Sequence, residues 1–250
     1  MISVVLPTHR DDTYIWQAIK SVLAQEGIEF ELVIVANNCA LDYIDRLQAL
    51  TSSRIKLIIT KIPQIAFSLN LGLDQAKFDL IARMDSDDLM KPNRLKEQYN
   101  FFIANPETSI LGSQVEHISS TGKILGKSNY PTENTAIRSK LIYKATLCHP
   151  SVMYRKEIVI KSGGYSGGLL SEDYDLWLRL LENDKVVFRN YDSILLSYRK
   201  HSQATQGSPR AYAEVAGHFL KMFLLYRRIK YVTGLVVSVA KAFKRGNRVK

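Results

Sequence analysis

The stretch Leu80-Ile81-Ala82-Arg83-Met84-Asp85-Ser86-Asp87-Asp88 decides the interpretation of this chain. Its first five residues form a short apolar run that is typical of a strand buried inside a sheet. Three carboxylates follow within four residues, and that much negative charge at a strand end is costly unless a cation neutralises it. Hard cations such as Mg²⁺ prefer oxygen ligands and are often shared between carboxylates and substrate phosphates. The stretch therefore indicates a metal–phosphate site.

Two other interpretations of the acidic residues have to be weighed. An acidic tetrapeptide is also typical of a turn or a helix cap, and Pro92 begins a predicted helix shortly after it. A calcium-binding EF-hand loop beginning at Asp85 needs glycine at its sixth position and glutamate at its twelfth. Met90 and Lys96 occupy those positions, so the EF-hand interpretation fails. The turn or cap stays open as the alternative to a metal site.

Around this stretch, the first ninety residues alternate between predicted strands and helices. Strands are expected at residues 2–6, 30–35, 55–59 and 80–84. The βαβαβαβ order predicts an α/β fold with a Rossmann-like, mostly parallel sheet and helices on both faces. Ligands of such sheets bind beyond the carboxyl ends of the strands. Thr8, Asn37 and the acidic cluster Asp85–Asp88 each follow such an end, so we expect three loops to form one crevice.

The second half of the chain is predicted to add further strands and helices. Helices are expected at residues 92–105, 132–143 and 173–181, and strands at 110–118, 123–126, 147–154, 186–188 and 194–198. The glycine-rich segment 163–168 lacks the Lys-Ser/Thr pair of a phosphate loop, so we expect a mobile surface loop there. No Gly-x-Gly-x-x-Gly follows the first strand, which argues against a dinucleotide cofactor.

The positive charge of the chain is concentrated at its C-terminal end. The net charge is +10, and residues 210–250 contain ten Lys or Arg against one acid, Glu214, so that segment carries 10 − 1 = +9 and residues 1–209 carry +1. The near-neutral body argues against nucleic acid as a partner. Apolar residues lie between the basic clusters of the tail, as in a basic amphipathic helix that binds an anionic membrane surface. A helix that packs on the body or forms a dimer is the alternative.

The two cysteines, Cys39 and Cys148, form no disulfide framework, and Met1–Pro7 has no signal-peptide pattern. These features favour a cytoplasmic protein, peripheral at the inner face of the cell membrane if the tail binds lipid. His149 follows Cys148 on a predicted strand, where neighbours point to opposite faces, so a catalytic Cys–His pair is not expected. His149 would instead pack in the core or line the part of the site where an acceptor substrate would bind. We expect Trp177 to be a core residue and Arg83 to pair with an acid of the cluster.

An ordered set of short motifs spans roughly residues 2–205. They are Ser3-Val4-Val5-Leu6-Pro7-Thr8, Ser21-Val22-Leu23-Ala24-Gln25, Phe30-Glu31-Leu32-Val33-Ile34-Val35, Leu69-Asn70-Leu71-Gly72-Leu73, Ala82-Arg83-Met84-Asp85-Ser86-Asp87-Asp88, His149-Pro150-Ser151-Val152-Met153, Glu172-Asp173-Tyr174-Asp175-Leu176-Trp177-Leu178-Arg179 and Tyr198-Arg199-Lys200-His201. In this order they are similar to the motifs of inverting family-2 glycosyltransferases with the GT-A fold, most of all to those of bacterial enzymes that build cell-surface polysaccharide.

The resemblance implies a nucleotide-sugar donor, with Asp85 facing its ribose, and a Mn²⁺ or Mg²⁺ ion on Asp87. Asp88 would lie in the outer shell of that ion. The implied donor site consists of Pro7, Thr8, Asn37, Asp85, Ser86 and Asp87, and the implied metal ligands are Asp87, Asp85 and His201. Asn37 departs from the family pattern, which usually has an Asp there to bind the base. An asparagine carbonyl still accepts a hydrogen bond from a uracil N–H.

The transfer reaction also needs a general base for the acceptor hydroxyl, and the resemblance places Asp173 in that role. A base of this kind contributes roughly 10²- to 10⁴-fold in rate. Glu172 and Asp175 are the rival carboxylates. In the structural alternative, Asp173 or Ser171 only caps the helix that begins there.

These observations favour a metal-dependent inverting glycosyltransferase that moves a sugar, expected to come from a UDP-sugar, to a hydroxyl of a lipid-linked saccharide in O-antigen, capsule or lipooligosaccharide synthesis. Residues 1–209 would form the GT-A domain, with a nucleotide-binding half at 1–90 and an acceptor-binding half at 91–209. Residues 210–250 would form the tail. A sugar nucleotidyltransferase and a membrane-associated sugar-nucleotide-binding protein without transfer activity are the alternatives. The first usually has a glycine-rich basic loop after strand one, which His9-Arg10-Asp11-Asp12 matches poorly.

Overall fold

The computed structural model describes residues 1–201 and 207–246, and within these ranges nine strands form one sheet. The strands are β1 (Ile2–Thr8), β2 (Phe30–Asn37), β3 (Ile55–Thr60), β4 (Leu80–Arg83), β5 (Leu89–Met90), β6 (Thr108–Ile118), β7 (Ile124–Ser128), β8 (Met153–Arg155) and β9 (Val187–Arg199). The helices are α1 (Thr13–Leu23), α2 (Leu41–Gln48), α3 (Ile65–Gln75), α4 (Arg94–Ala104), α5 (Asn134–Leu141), α6 (Lys156–Lys161), α7 (Glu172–Leu181), α8 (Pro209–Tyr226) and α9 (Ile229–Gly246).

The strands follow the order β3-β2-β1-β4-β8-β6-β9-β5, and β7 pairs with β6. The four strands of the first half are parallel, whereas β8 runs antiparallel to both β4 and β6. The predicted parallel βαβ half is therefore confirmed. Its register places the carboxyl ends of β2, β1 and β4 side by side, because Thr8 lies opposite Ala36 and Val5 lies opposite Arg83.

Alternating side chains of the strands build a separate core on each face of the sheet. Val4 and Leu6 of β1 pack on the face covered by α1, α2 and α4, whereas Val5 packs on the face covered by α3 and α5–α9. Helices therefore cover both faces, as predicted. Gly72 of α3 permits close contact with β1, since a Cβ there would lie 2.5 Å from Cγ1 of Val5.

Two strand predictions for the second half are wrong. The expected strand at 147–154 is instead a 3₁₀ turn, His149–Ser151, followed by the short strand β8. Pro150 lies in this turn and has no backbone N–H to donate to a neighbouring strand. The two short strands expected at 186–188 and 194–198 are one continuous strand, β9, with a register shift around residues 191–194. Polar residues at this irregularity interrupt the apolar pattern of the sequence, but the strand continues through them.

The tail forms two helices, α8 and α9, which pack against each other and, through α8, against α7. Phe219, Met222 and Tyr231 are almost fully buried in the core that includes Trp177. The alternative in which the tail packs on the body therefore describes one face of these two helices. Within the described ranges, no helix combines the length and the apolar character that crossing a bilayer requires. Residues 247–250 of the tail lie outside the described part, and the boundary at residues 209/210 and the division at residue 90 stay predictions.

Candidate active site

The carboxylates of Asp85, Asp87 and Asp88 converge in the turn that joins β4 to β5. One oxygen of each lies within 4.8 Å of the others, and Asp88 is fully buried while the other two are partly exposed. The turn interpretation therefore holds for the backbone. The cap interpretation is wrong, because Asn93 is the residue that precedes α4. A turn explains the backbone but not three like charges at this spacing.

Basic side chains from neighbouring strands contact the cluster. Arg83 forms an ion pair with Asp85, as predicted. The backbone N–H of Arg199 donates to Asp88 Oδ1 at 2.8 Å, and its guanidinium Nε donates to the Asp87 carbonyl at 2.7 Å. His201 Nε2 lies 2.8 Å from Asp87 Oδ2. The structure therefore brings together the three residues that the sequence predicts as metal ligands.

Burial and neighbouring carboxylates raise the pKa values of two members of the cluster. Burial raises the pKa of Asp88 well above its usual value, and the nearby Asp85 and Asp87 raise it further. Burial also raises the pKa of Asp85, with a contribution from Asp87, although Arg83 opposes the shift. Charged carboxylates crowded in this way favour either a proton or a cation.

A divalent cation fits this donor set. Oδ2 of Asp88 is buried and accepts no hydrogen bond from any described residue. Carboxylate oxygens are the ligands that Mg²⁺ and Mn²⁺ prefer, and an imidazole nitrogen is compatible with Mn²⁺. The residues present therefore match the chemistry of a bound Mg²⁺ or Mn²⁺ ion.

A buried arginine on α4 donates hydrogen bonds to backbone carbonyls next to the cluster. Arg94 has no exposed surface and donates to the carbonyls of Arg83, Pro150 and Val152 at 2.8–3.2 Å and to Gln98 Oε1 at 2.9 Å. Burial lowers the pKa of Arg94 to about 9. These bonds join the end of β4 to the turn at residues 149–151. Arg94 was not among the residues predicted from the sequence, although its helical phase with Gln98 and Phe102 places it on a buried face.

The predicted donor-binding residues lie at the same sheet edge. The hydroxyl of Thr8, at the end of β1, is 2.8 Å from the hydroxyl of Tyr43. Asn37, at the end of β2, donates through Nδ2 to Ser68 Oγ at 2.8 Å, and no described residue donates to its Oδ1. Pro7 precedes Thr8 in β1 and Ser86 lies within the acidic turn. The strand ends that carry these residues therefore lie side by side, as the sequence predicts, and the crevice itself stays a prediction.

Asp173 lies in the first turn of α7, close enough to the cluster for Asp85 to affect its ionisation. Its Oδ1 accepts from the Tyr174 backbone N–H at 2.7 Å, so it also stabilises the helix start. Burial raises the pKa of Asp173, and Asp85 adds a smaller contribution in the same direction. Ser171 occupies the N-cap position, but its hydroxyl makes no capping hydrogen bond. The capping alternative therefore applies to Asp173 only in part and not to Ser171.

The two rival carboxylates have different surroundings. Burial, with help from Asp173, raises the pKa of Glu172 to about 8. Burial acts in the same direction on Asp175, but hydrogen bonds and ion pairs with Arg179 and Lys221 outweigh it and lower the pKa of Asp175. Both Asp175 oxygens are thus engaged within the protein. Asp173 is the carboxylate of the three that is partly exposed, and one of its oxygens has no hydrogen bond from the described residues.

The sequence matches one family model over most of its length. The model of glycosyl transferase family 2 matches residues 3–163. The chain belongs to glycosyl transferase family 2. It is 37% identical over 247 residues to the O-antigen biosynthesis glycosyltransferase WbnJ of Escherichia coli, covering 97% of this chain and 96% of that one. It is also 34% identical over 117 residues to the E. coli UDP-Gal:alpha-D-GlcNAc-diphosphoundecaprenol beta-1,3-galactosyltransferase, covering 46% of this chain and 42% of that protein.

Solved structures of glycosyltransferases share the fold. S. aureus TarS 1-349 in complex with UDP-GlcNAc aligns with a TM-score of 0.68 at 18% identity, over 97% of this chain and 72% of that one. Mannosyltransferase PcManGT from Pyrobaculum calidifontis, in complex with GDP-Man and Mn²⁺, aligns with a TM-score of 0.67 at 13% identity, over 99% of this chain and 74% of that one. The protein is thus a glycosyltransferase with the α/β architecture expected from the resemblance.

Other residues of this glycosyltransferase have packing roles behind the site. His149 Nε2 lies 3.0 Å from the Tyr165 hydroxyl, and its ring meets the edge of the buried Trp177. Burial and Arg83 hold the pKa of His149 well below its usual value. Burial raises the pKa of the Cys148 thiol, which leaves it a poor nucleophile. These features agree with the expected absence of a Cys–His catalytic pair and with Trp177 as a core residue.

The glycine-rich loop of this glycosyltransferase differs from the mobile surface loop expected. Tyr165 is buried, and its backbone N–H and C=O both bond to the Asn70 side chain at 2.8 Å. The carbonyls of Ser162 and Gly164 accept from Arg179. No local sequence pattern indicates these long-range contacts, because Asn70 lies 95 residues before Tyr165.

Proposed function

We propose that this protein is a metal-dependent, inverting glycosyltransferase that moves a sugar from a UDP-sugar to a hydroxyl of a lipid-linked saccharide in the synthesis of O-antigen, capsule or lipooligosaccharide. The observation that carries the proposal is Asp88 Oδ2, which is buried and accepts no hydrogen bond from the described residues. It belongs to an acidic cluster that also affects the ionisation of Asp173. A cation-deficient cluster and a partly exposed carboxylate in one crevice are what the transfer reaction needs.

The metal part of the proposal assigns roles to four residues. Asp87, Asp85 and His201 would hold Mn²⁺ or Mg²⁺, and Asp88 would support the ion from the buried side. A bound divalent ion supplies Lewis-acid neutralisation of the diphosphate leaving group. Arg83 neutralises part of the charge of Asp85. This ion pair favours binding of an ion by Asp87, whose Oδ2 contacts His201.

The base assignment rests on the contrast among the three carboxylates at the start of α7. Asp173 accepts the proton of the acceptor hydroxyl, because its raised pKa makes it a stronger base than an ordinary aspartate while one oxygen stays available. Asp175 is already engaged by Arg179 and Lys221. A single displacement with one base requires no covalent intermediate, so the configuration at the anomeric carbon inverts.

The donor assignment rests on the crevice and on the relatives. One relative is named for the use of UDP-Gal, and a structural neighbour is known in complex with UDP-GlcNAc. Asn37 and Thr8 lie where a base would bind, with the Asn37 carbonyl available to a uracil N–H. Pro7 and Ser86 complete the proposed donor site. The name of the same relative includes a diphosphoundecaprenol-linked acceptor, which supports a lipid-linked acceptor here.

The outer surface of the tail supports a location at the membrane. Ile229, Val236 and Phe243 recur every seven residues on α9 and are 62–77% exposed, so they form one apolar stripe on the solvent side. Arg227, Lys244 and Arg245 have no ion-pair partner among the described residues. Each basic residue near an anionic leaflet contributes about 1 kcal/mol. We therefore place the enzyme in the cytoplasm, peripheral at the inner face of the cell membrane.

Part of the basic charge of the tail serves the fold instead. Arg228 and Lys230 form ion pairs with Glu182, and the Lys241 ammonium group donates to the Tyr143 carbonyl. The membrane-binding charge is therefore smaller than the sequence suggests. Removal of the whole tail would also expose the core around Phe219, so point variants are the appropriate test.

The transferase proposal is tested by a screen of nucleotide-sugars for binding and hydrolysis with Mn²⁺, with Mg²⁺ and with a chelator. We expect one uridine donor to bind in a metal-dependent way and the transferred sugar to have the opposite anomeric configuration. A product that retains the configuration of the donor would contradict the single-displacement mechanism. Activity that survives complete chelation would contradict the metal site.

The membrane proposal predicts that the Ile229→Ser/Phe243→Ser double variant loses most of its binding to phosphatidylglycerol vesicles in co-sedimentation at low salt. Each exposed side chain contributes about 1.5–3 kcal/mol when fully buried in an apolar layer, so the loss should exceed tenfold. Ile103→Ser, which removes an equally exposed isoleucine from α4, is the control. Equal binding of the variant and the wild type would contradict this assignment.

A further inference from the structure

We propose that Glu214 of α8 is a positioning residue for the base Asp173, acting through the segment Leu169–Ser171 that leads into α7. This inference rests on the proposed function, because it takes Asp173 as the base. It assigns a role in transfer to a residue of the C-terminal helices that lies more than forty positions beyond the base in the sequence.

The first observation is the set of hydrogen bonds to a single carboxylate oxygen. Oε2 of Glu214 accepts from the backbone N–H groups of Leu169 and Leu170, both at 2.9 Å, and from the Ser171 hydroxyl at 3.2 Å. Hydrogen bonds to a charged acceptor are about twice as strong as neutral ones. Three consecutive residues immediately before α7 are thus fixed by one side chain.

The second observation is that the same face of α8 makes further contacts with this region. His218 Nε2 lies 3.0 Å from the Ser171 hydroxyl, and Lys221 Nζ donates to Asp175 Oδ1 at 3.0 Å. Glu214, His218 and Lys221 are spaced i, i+4, i+7, which places them on one side of the helix. α8 therefore contacts the chain both before and after Asp173.

The third observation is the close packing of the loop against this helix. Gly168 has φ +78°, and a Cβ there would lie 2.7 Å from Ser171 Oγ and 2.9 Å from Glu214 Oε2. A side chain at residue 168 would therefore displace both bonded groups. The glycine lets the loop backbone approach the carboxylate closely enough for the two N–H groups to donate.

The charge pattern of the tail supports a specific role for this carboxylate. Glu214 is the single acid among residues 210–250, against ten Lys or Arg. A segment that only needed positive charge would gain from a neutral residue there. The acid instead lies opposite backbone N–H donors, which are the groups that an anion stabilises.

Ordering of this segment matters for transfer because the position of a general base must be correct to within a fraction of an ångström. Displacement of a reacting group by about 1 Å can reduce the rate by about a hundredfold. Without Glu214, Leu169 and Leu170 lose their acceptor, and the first turn of α7 is held less firmly. Asp173 would then spend less time at the acceptor hydroxyl, whereas the donor site at the sheet edge would be unaffected.

The test uses the full chain and the variants Glu214→Ala and Glu214→Gln. Hydrogen–deuterium exchange followed by mass spectrometry needs no substrate and reports on residues 167–175. We expect faster exchange there in Glu214→Ala and a smaller increase in Glu214→Gln, which keeps one acceptor oxygen. Arg210→Ala is the control, because it removes the 3.7 Å ion pair of Glu214 without touching the loop. Unchanged exchange in both Glu214 variants would overturn the proposal.

The second measurement separates positioning from folding. We expect the kcat of Glu214→Ala to fall on the order of ten- to a hundredfold, with the Kd for the donor nucleotide unchanged and the Glu214→Gln variant intermediate. Altered exchange with wild-type kcat in the Glu214 variants would overturn the positioning role. If Glu214→Ala does not fold, Glu214→Gln decides by the same two measurements.

An Asp173→Asn variant measured alongside distinguishes the two possible failures. If Asp173→Asn loses transfer and the Glu214 variants do not, the positioning role alone fails. If Asp173→Asn keeps wild-type turnover, the base assignment of the proposed function fails, and this inference fails with it.

Discussion

The acidic cluster and the proposed base segment lie close enough for Asp85 to affect the ionisation of Asp173, but they are held in position in different ways. Asp85, Asp87 and Asp88 lie within the turn that joins the consecutive strands β4 and β5, next to the buried Arg94. The segment before Asp173 depends on Glu214, which lies more than forty positions later in the chain. The comparison teaches that most of the proposed metal site lies in a few adjacent residues, joined by His201 from beyond β9, whereas the segment before the proposed base is held by a distant helix.

The two regions also differ in electrostatics. In the cluster, burial and nearby carboxylates raise the pKa values of Asp85 and Asp88, so the site gains from a cation. At the start of α7, the three carboxylates have separate environments, with Asp175 neutralised by Arg179 and Lys221 and Glu172 buried. The first arrangement favours ion binding, and the second favours proton transfer by one member.

The largest effect is expected from Asp87→Asn, which removes a charge from the proposed metal site. Metal stabilisation of a leaving group contributes several kcal/mol, so transfer should fall by about a thousandfold or more. Thermal unfolding in chelator should be unchanged or slightly higher, because repulsion among the carboxylates is reduced. Asp11→Asn, an acid of the neighbouring loop that pairs with Arg46, is the control. Near-wild-type turnover of Asp87→Asn would contradict the site.

The next effect tests the other side of the comparison. Asp173→Asn removes the proton acceptor and should reduce transfer by roughly 10²- to 10⁴-fold. Binding of the donor, measured by calorimetry with Mn²⁺, should stay within about twofold of wild type, since the sheet edge is unchanged. The exposed Asp184→Asn variant provides a matched control. Loss of donor binding together with transfer would show that Asp173 belongs to the donor site instead.

A stability measurement sharpens the structural part of the comparison. Arg94→Met leaves the carbonyls of Arg83 and Pro150 without this donor in a buried region, whereas the Val152 carbonyl still accepts from the Arg83 backbone N–H. Each unsatisfied buried group costs about 1–3 kcal/mol, so the free energy of unfolding should fall by about 2 kcal/mol or more. Arg54→Met, at an exposed arginine that donates to the Leu23 carbonyl, should cost about 1 kcal/mol or less. Equal losses in the free energy of unfolding for the two variants, measured in urea, would contradict this structural role of Arg94.

The smallest effect concerns pH and Glu172. Burial raises the pKa of folded Glu172 to about 8 from an ordinary value of 4.5. Between these values the unfolded chain releases the proton while the folded chain keeps it, so the free energy of unfolding falls as the pH rises. Glu172→Gln has no carboxyl group to titrate at this position, so it does not lose stability in this way. Its Tm advantage over wild type, measured in chelator, should therefore grow from about pH 5 to about pH 8, by about 2–4 °C for each kcal/mol.

A constant difference in Tm across that pH range would mean that Glu172 does not titrate as its burial implies. The remaining carboxylates with raised pKa values, Asp85, Asp88 and Asp173, are present in both proteins, and Asp173 and Asp85 also contribute to the raised pKa of Glu172. The measurement therefore reports on Glu172 together with its interaction with these neighbours.

Local sequence determined the elements of the first half and the chemistry at its edge. Apolar runs ended by polar residues predicted β1 to β4 within one or two residues, because the side chains of a buried strand must be apolar wherever they point. The ends of those strands carry Thr8, Asn37 and the acidic cluster, and parallel pairing brings them to one edge. The ion pair between Arg83 and Asp85 was predictable as well, because an arginine inside a buried strand needs a nearby acid.

Only the tertiary structure decided the second half and the fixing of the base. β9 crosses a register shift that looked like two strands, and the turn at 149–151 looked like part of one. Arg94 and Glu214 are charged residues whose partners are mainly backbone groups far along the chain. Backbone N–H and C=O groups are the same at every residue, so no pattern of side chains reveals which ones a distant charge will bind.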